Sequence, residues 1–443
     1  MWRGDTKRRR SAARRNPSTA VRCRLLARVL VAIALAVPCV GAAQDEGPGV
    51  IDQVRSSLDG LLLRDDLTAQ QVAVTEEMQA WLDALREQDL NPLHMRLLDA
   101  IARGLPHSAG ELSVREIVDT VAALVDLVVD DELDEEQAAE LEAKLVVDPD
   151  DIFSRTRLVR HYDTTRLDGS ARAHGKHVVW LVENAPYAYE LRRTGDNRIF
   201  GLSAGEAYSA GFEAWRRHVE REPDNPVFLA RYARFVELKQ PSLAVDLLER
   251  AHRVDARNPW LAEELGTLYL RAAMRADERA YDAQAAAKAL RQFDRAYDLA
   301  DDDIMRHSVL GQRAWAAFAA KRYDLAKQHA QAMLDANPPQ DPDGDLLHKG
   351  NTILGRIALI EGDVALAKMH LLESGKVPTS PSLGSFGPSM TLASELLAMG
   401  QREVVLDYFD LCAIFWDAEE LNTWRVAIDT GQTPDFGHHA WLR

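Results

Sequence analysis

The feature that most restricts how this chain can fold is a spacing pattern that occurs twice near its C-terminal end. In LGRIALIEGDVALAKMHLLES, Leu354, Gly355, Ala358, Gly362, Ala367, Leu371 and Ser374 are separated by 1, 3, 4, 5, 4 and 3 residues. Leu392, Ala393, Leu396, Gly400, Val405, Phe409 and Cys412 fall at identical separations. Offsets of three and four are those of one helix face, so the pattern describes an apolar stripe, a glycine turn, and a second stripe that crosses back. Small residues at Gly355, Ala367 and Ala393 allow the two backbones to approach closely. Elsewhere after residue 50 the chain is rich in Ala, Leu, Glu and Arg at helical spacing, and alternating Val, Ile and Thr are nearly absent. The chain therefore reads as all-α.

Looser copies extend the pattern toward the N-terminus. Leu310, Ala314, Ala317, Tyr323, Ala326, Ala330, Met333 and Pro338 keep the register, with Arg313 where Leu is expected. Leu229, Tyr232, Ala233 and Val236 pair with Ala244, Leu248 and Ala251, and Leu265, Gly266 and Tyr269 with Ala289, Phe293 and Ala296. Leu158, Val159 and Tyr162 begin a divergent copy ending near Leu181, and Ala207 to Glu222 supplies a further second helix. DPDD at 148, EPDNP at 222, DARNP at 255 and DANPP at 335 each close one copy and open the next. These spacings resemble the tetratricopeptide repeat, a helix-turn-helix unit of 34 residues. The SPSLGSFGPSM linker and the closing TGQTPDFG also resemble a bacterial exported repeat family. The resemblance implies an α-solenoid, a right-handed superhelix of about seven helix pairs over 149–420. Ahead of it lies an N-terminal helical region at 44–148, where Asp134 is placed to cap a helix at 134–147. A C-terminal capping helix and tail fill 421–443.

Residues 1–43 read as a signal peptide. Arg8, Arg9, Arg10, Arg14, Arg15, Arg22, Arg24 and Arg28 precede an apolar run from Val29 to Val40, which is followed by Gly41, Ala42 and Ala43. The run is short for a membrane span, and Pro38 breaks it just before the small residues, so cleavage after Ala42 or Ala43 is expected. This places the chain in the periplasm or outside the cell, with no membrane contact after cleavage. Cys23 and Cys39 fall within that segment, leaving Cys412 among apolar neighbours. It reads as a small hydrophobe, since no His, Lys or Arg lies between Arg402 and Arg425 to activate it.

The basic leader hides the acidity of the rest. The whole chain carries −16, but residues 1–43 hold ten Lys and Arg against one Asp, so 43 basic and 68 acidic residues follow, a charge of −25. On that balance a nucleic-acid partner is not expected, because the excess repels phosphate.

Three constellations could carry chemistry. Gly201-Leu202-Ser203-Ala204-Gly205 matches a nucleophile elbow, which needs a preceding buried strand. Here Ser203 and Glu206 read instead as a capping box. His161, His174 and His177 could supply imidazoles to a metal, although no HExxH accompanies them. Asp341, Asp343 and Asp345 around Gly344 are misplaced for a calcium loop.

The resemblance itself points to a groove, since in that family the residue after the eighth repeat position faces the concave surface. Those residues are Arg160, Arg234, Thr267, Trp315, Arg356 and Ser394, and Arg160, Arg234, Trp315 and Arg356 are the groove-binding candidates. Each Arg could hold a carboxylate of an extended peptide by its fork, with Trp315 stacking. Each could equally pair with Asp or Glu of the neighbouring unit.

The expectation is thus an exported, non-catalytic scaffold for a protein or peptide partner with acidic groups, without cofactor or metal. The alternatives are a periplasmic hydrolase using Ser203 or the His161/His174/His177 set, and a scaffold tethered by an uncleaved leader.

Overall fold

The computed structural model describes residues 133–443 with breaks at 165–168, 187, 189–190, 192–204, 276–280, 301–302, 338–341, 417 and 441–443; before 133 it describes positions 52, 55, 56 and 59. The expected leader, most of the N-terminal helical region, Ser203 and Asp341 therefore lie outside the described residues. Among the described residues all regular structure is helical, and the fold is tetratricopeptide-like. The described residues divide into two compact units, one ending at Val236 and the other beginning at Glu237.

In the first unit, α1 (Glu135–Val147), α2 (Ile152–Thr164), α3 (Ser170–Asn184), α4 (Gly205–Arg221) and α5 (Pro226–Val236) each pack on the next. Asp134 caps α1 as expected. Its carboxylate accepts from the Gln137 amide at 2.8 Å while the Gln137 side chain accepts from the Asp134 amide at 3.0 Å, closing a capping box. The α4/α5 contact is made by Gly211, where an added Cβ would stand 2.7 Å from the Phe235 ring.

The second unit runs through α6 (Pro241–Val254), α7 (Pro259–Arg275), α8 (Ala283–Leu299), α9 (Asp303–Ala319), α10 (Tyr323–Asp335), α11 (Gly344–Glu361) and α12 (Val364–Gly375). A one-and-a-half-turn α13 (Pro381–Phe386) interrupts the linker, and α14 (Thr391–Ala398), α15 (Arg402–Cys412) and α16 (Glu419–Asp429) complete it. The core follows the repeat register closely. Ala314 and Ala326, Gly355 and Ala367, and Ala393 and Val405 hold the same repeat positions in successive hairpins, and every non-glycine member of that set is fully buried.

The turn between first and second helix needs a left-handed residue. Gly362 and Gly400 supply it at φ +87° and +77°. In the preceding copy the equivalent residue is Lys321, held at φ +58°, where an L side chain is strained. Lys321→Gly is therefore expected to raise stability by about 1 kcal/mol. Denaturant unfolding checks this, and an unchanged or lower midpoint would show that the turn tolerates lysine without cost.

The Asn-Pro phrases act as joints. The Asp255 amide donates to Ala251, the Asn258 amide to Asp255, and the Asn258 side-chain oxygen accepts from Trp260. At 222–228 the same set recurs, with Asn225 accepting from Val227 and Phe228. Asn at N-cap followed by Pro at the first helical position satisfies the orphan amides and presets φ.

Ion pairs also follow the repeat period. Glu142–Lys176, Glu183–Arg217, Glu237–Arg271 and Lys327–Glu361 are each separated by 34 residues. Mostly exposed, each contributes at most about 1 kcal/mol, so they set register more than stability.

Candidate functional site

Within the second unit the first helices of successive pairs touch in order, α7 to α9, α9 to α11 and α11 to α14. Each carries one of the positions expected to face a ligand: Thr267, Trp315, Arg356 and Ser394. Trp315 is 8% exposed, and its indole N–H is buried without a hydrogen-bond acceptor. Arg356, on the helix touching that of Trp315, has a side chain 12% exposed.

The environment of Arg356 is specific. Its Nε and Nη2 donate to one carboxylate oxygen of Glu395 at 2.9 and 2.7 Å, and its guanidinium lies 4.4 Å over the Phe318 ring. A hydrogen bond with Tyr281 adds to this, while Nη1 is buried without an acceptor. Burial pulls the guanidinium pKa down, but Glu395 and Tyr281 outweigh it and hold it above its ordinary value. Arg313 repeats the arrangement on α9, donating to Asp294 at 2.9 Å and stacking 4.1 Å over Tyr297. Arg356 is thus engaged by a carboxylate of its own chain, the structural role left open by the sequence. Any acidic ligand at Arg356 has to share or displace Glu395.

Arg160 on α2 and Arg234 on α5 belong to the first unit, and both are half-buried.

The three histidines do not converge. His161 Nδ1 lies 3.0 Å from the Leu133 carbonyl. His177 is fully buried, with Nε2 2.8 Å from Glu142 and Nδ1 3.4 Å from Arg155 Nη1. Since guanidinium can only donate, Nδ1 accepts and Nε2–H donates to Glu142. Tyr162 stacks on the imidazole at 6.0 Å and donates to Glu142 at 3.3 Å, and Lys176 donates to the other oxygen at 3.2 Å. Burial pushes the Glu142 carboxyl up, but His177 and Lys176 hold it below its ordinary value; burial also holds His177 neutral despite Glu142. Both imidazole nitrogens are thereby occupied. His174 is 5% exposed, and burial lowers its pKa. Among the described residues no group of three or more His, Cys, Asp or Glu is placed to hold a metal ion.

The remaining candidates serve the fold. Asp343 caps α11, accepting from Asp345 and Leu346 at 2.9 and 3.1 Å, and meets His307 at 3.1 Å. Cys412 is fully buried, and burial pushes its thiol pKa up. What sequence reading missed is the carboxylate of each cation-over-ring cluster and the 34-residue ion pairs. The latter were available as opposite charges one repeat apart.

No family model matches the chain, and no curated protein matches it. Among solved structures it is similar to the human IFIT1 dimer with PPP-AAAA, at 14% identity and a TM-score of 0.41, over 88% of this chain and 96% of that chain. It is also similar to the human IFIT1 dimer with m7Gppp-AAAA, at 13% identity and a TM-score of 0.39, over 88% and 94%. Those two structures are RNA complexes, and the expectation of no nucleic-acid partner is corrected accordingly. The physical weakness of that expectation is that a net charge sums over the whole chain, whereas a ligand meets the field of one face.

Proposed function

We propose that the protein is an exported, non-catalytic scaffold that binds a protein or peptide segment along the inner face of its repeats. The observation that supports this is the unbroken row α7, α9, α11 and α14, which brings Thr267, Trp315, Arg356 and Ser394 onto four touching helices. Trp315 and Arg356 stand on adjoining helices of that row, and Trp and Arg are the residue types enriched at interface anchors. The leader-like residues 1–43 support export, and the closed hydrogen bonding of His177 supports a structural role for the histidine set.

The test is isolation of the tagged protein from its native envelope after mild cross-linking. The chain is expected to start at Ala43 or Gln44, to leave with osmotic shock, and to carry a reproducible protein partner. Ser394→Arg, within that row, is expected to weaken the association by about 1–3 kcal/mol with little loss of stability, since Ser394 is only half-buried. Weakened folding with binding retained would assign Ser394 to the packing of the repeats. An intact N-terminus in the membrane pellet would favour the tether, and nucleic acid in place of protein would overturn the proposed partner.

A further inference from the structure

The linker between α13 and α14 is gripped from two sides. His348 on α11 is 2% exposed, with Nδ1 2.8 Å from the Ser374 carbonyl at the end of α12. Its Nε2 accepts the Ser389 amide at 2.9 Å. A backbone N–H can only donate and a carbonyl can only accept, so one tautomer fits: proton on Nδ1, lone pair on Nε2. On the far side the His439 ring donates toward the Pro388 carbonyl at 3.2 Å, and the Met390 amide donates to the His439 carbonyl at 2.6 Å. Tyr408 donates to the Ser389 carbonyl at 3.0 Å. The His439 ring lies 4.8 Å from Trp416 and 5.2 Å from Trp424. Gly387, at φ +73°, leaves room for it, since a Cβ there would stand 2.7 Å from both His439 and Trp416. The segment Pro388-Ser389-Met390 is thus clasped between α11 and the C-terminal tail, immediately before α14 begins.

We propose that His348 is an acid-sensitive clasp, whose protonation releases Ser389 and opens the α13–α14 linker and the C-terminal tail from α11. A second proton has to enter at Nε2, where it would point an N–H at the Ser389 N–H. The two donors repel, and the amide is left unsatisfied in a buried site. Around the ring, Lys349 on its own helix opposes a positive charge. The titratable groups of α15 near Ser389 are Tyr408 and Cys412, both kept protonated by burial, and the tail contributes His439. Burial first, then Lys349, lowers the His348 pKa from 6.5 to about 4. The sign follows from this depression. The clasp is intact above pH 6.5 and is lost as pH falls toward 4, because the open form takes up the proton first.

The experiment is peptide-resolved hydrogen exchange on the full chain at pH 7, 5 and 4, corrected for intrinsic rates. Opening at 381–399 and 433–440 is expected to increase roughly twentyfold by pH 5 and roughly a hundredfold by pH 4, ahead of α9 and α10. In His348→Gln, whose amide oxygen can accept from Ser389 without titrating, that increase should vanish. Opening that keeps step with α9 and α10, or that persists in His348→Gln, would overturn the proposal. Should the variant not fold, ring-nitrogen spectra of the wild type decide. A proton on Nδ1 at neutral pH and a titration coincident with opening support the clasp, whereas a ring still neutral after opening refutes it.

Discussion

Phe293→Ala is expected to remove about 3–5 kcal/mol, the upper range for loss of a fully buried ring. Phe293 sits on α8 at full burial and fills the space left by Gly266 on α7, where an added Cβ would lie 2.8 Å from the ring. The absent methyl and the large ring are two halves of one contact. Gly266→Ala would gain helix propensity of about 1 kcal/mol but force the ring into a packed core, with a net loss of about 1–2 kcal/mol expected. The double variant Gly266→Ala with Phe293→Leu should recover part of that loss, with a coupling of about 1 kcal/mol or more. Denaturant unfolding of the single and double variants measures it. Strict additivity would mean that the ring relaxes freely and that the glycine is not what brings α7 and α8 together.

The same pairing shows how far the sequence could be read. Spacing exposed the crossing of first and second helices because backbone approach requires small residues at fixed offsets, and the structure brings the backbones together there: an added Cβ at Gly355 would stand 3.1 Å from His370 and 3.4 Å from the Ala367 carbonyl, both on α12. Gly362 and Gly400 announced their turns, because glycine is the residue that a left-handed turn selects. Lys321 did not, since a lysine carries no such mark although it takes the same conformation. Of the candidate arginines, Arg356 shows what spacing leaves out, namely the partner. Nothing near Arg356 in sequence identifies Glu395, 39 residues on and brought alongside by the next repeat. His348 was silent for a related reason. Its meaning lies in a carbonyl on α12 and an amide in the linker, and backbone groups look alike in every sequence. The histidine set misled in the opposite direction, because one shared hairpin is compatible with a metal site and equally with separate partners at Leu133 and Glu142.

Arg356→Glu is expected to cost about 3–5 kcal/mol, because it sets a carboxylate in a nearly closed position against Glu395 and removes the cation that satisfied it. The loss of guanidinium stacking on Phe318 adds to this. Arg356→Leu should cost far less, since a leucine fills similar space over the ring and Glu395, 39% exposed, can turn to solvent. The exchange Arg356→Glu with Glu395→Arg should restore part of the stability. Unfolding measurements on these variants separate the two roles of this arginine. A large loss for Glu and a small one for Leu identifies a cation held for the fold, so that ligand selectivity on this face would rest on Trp315, Thr267 and Ser394. A loss below about 1 kcal/mol for Arg356→Glu, in the range of surface pairs, would mean that Glu395 is dispensable and that the guanidinium is available to an acidic partner.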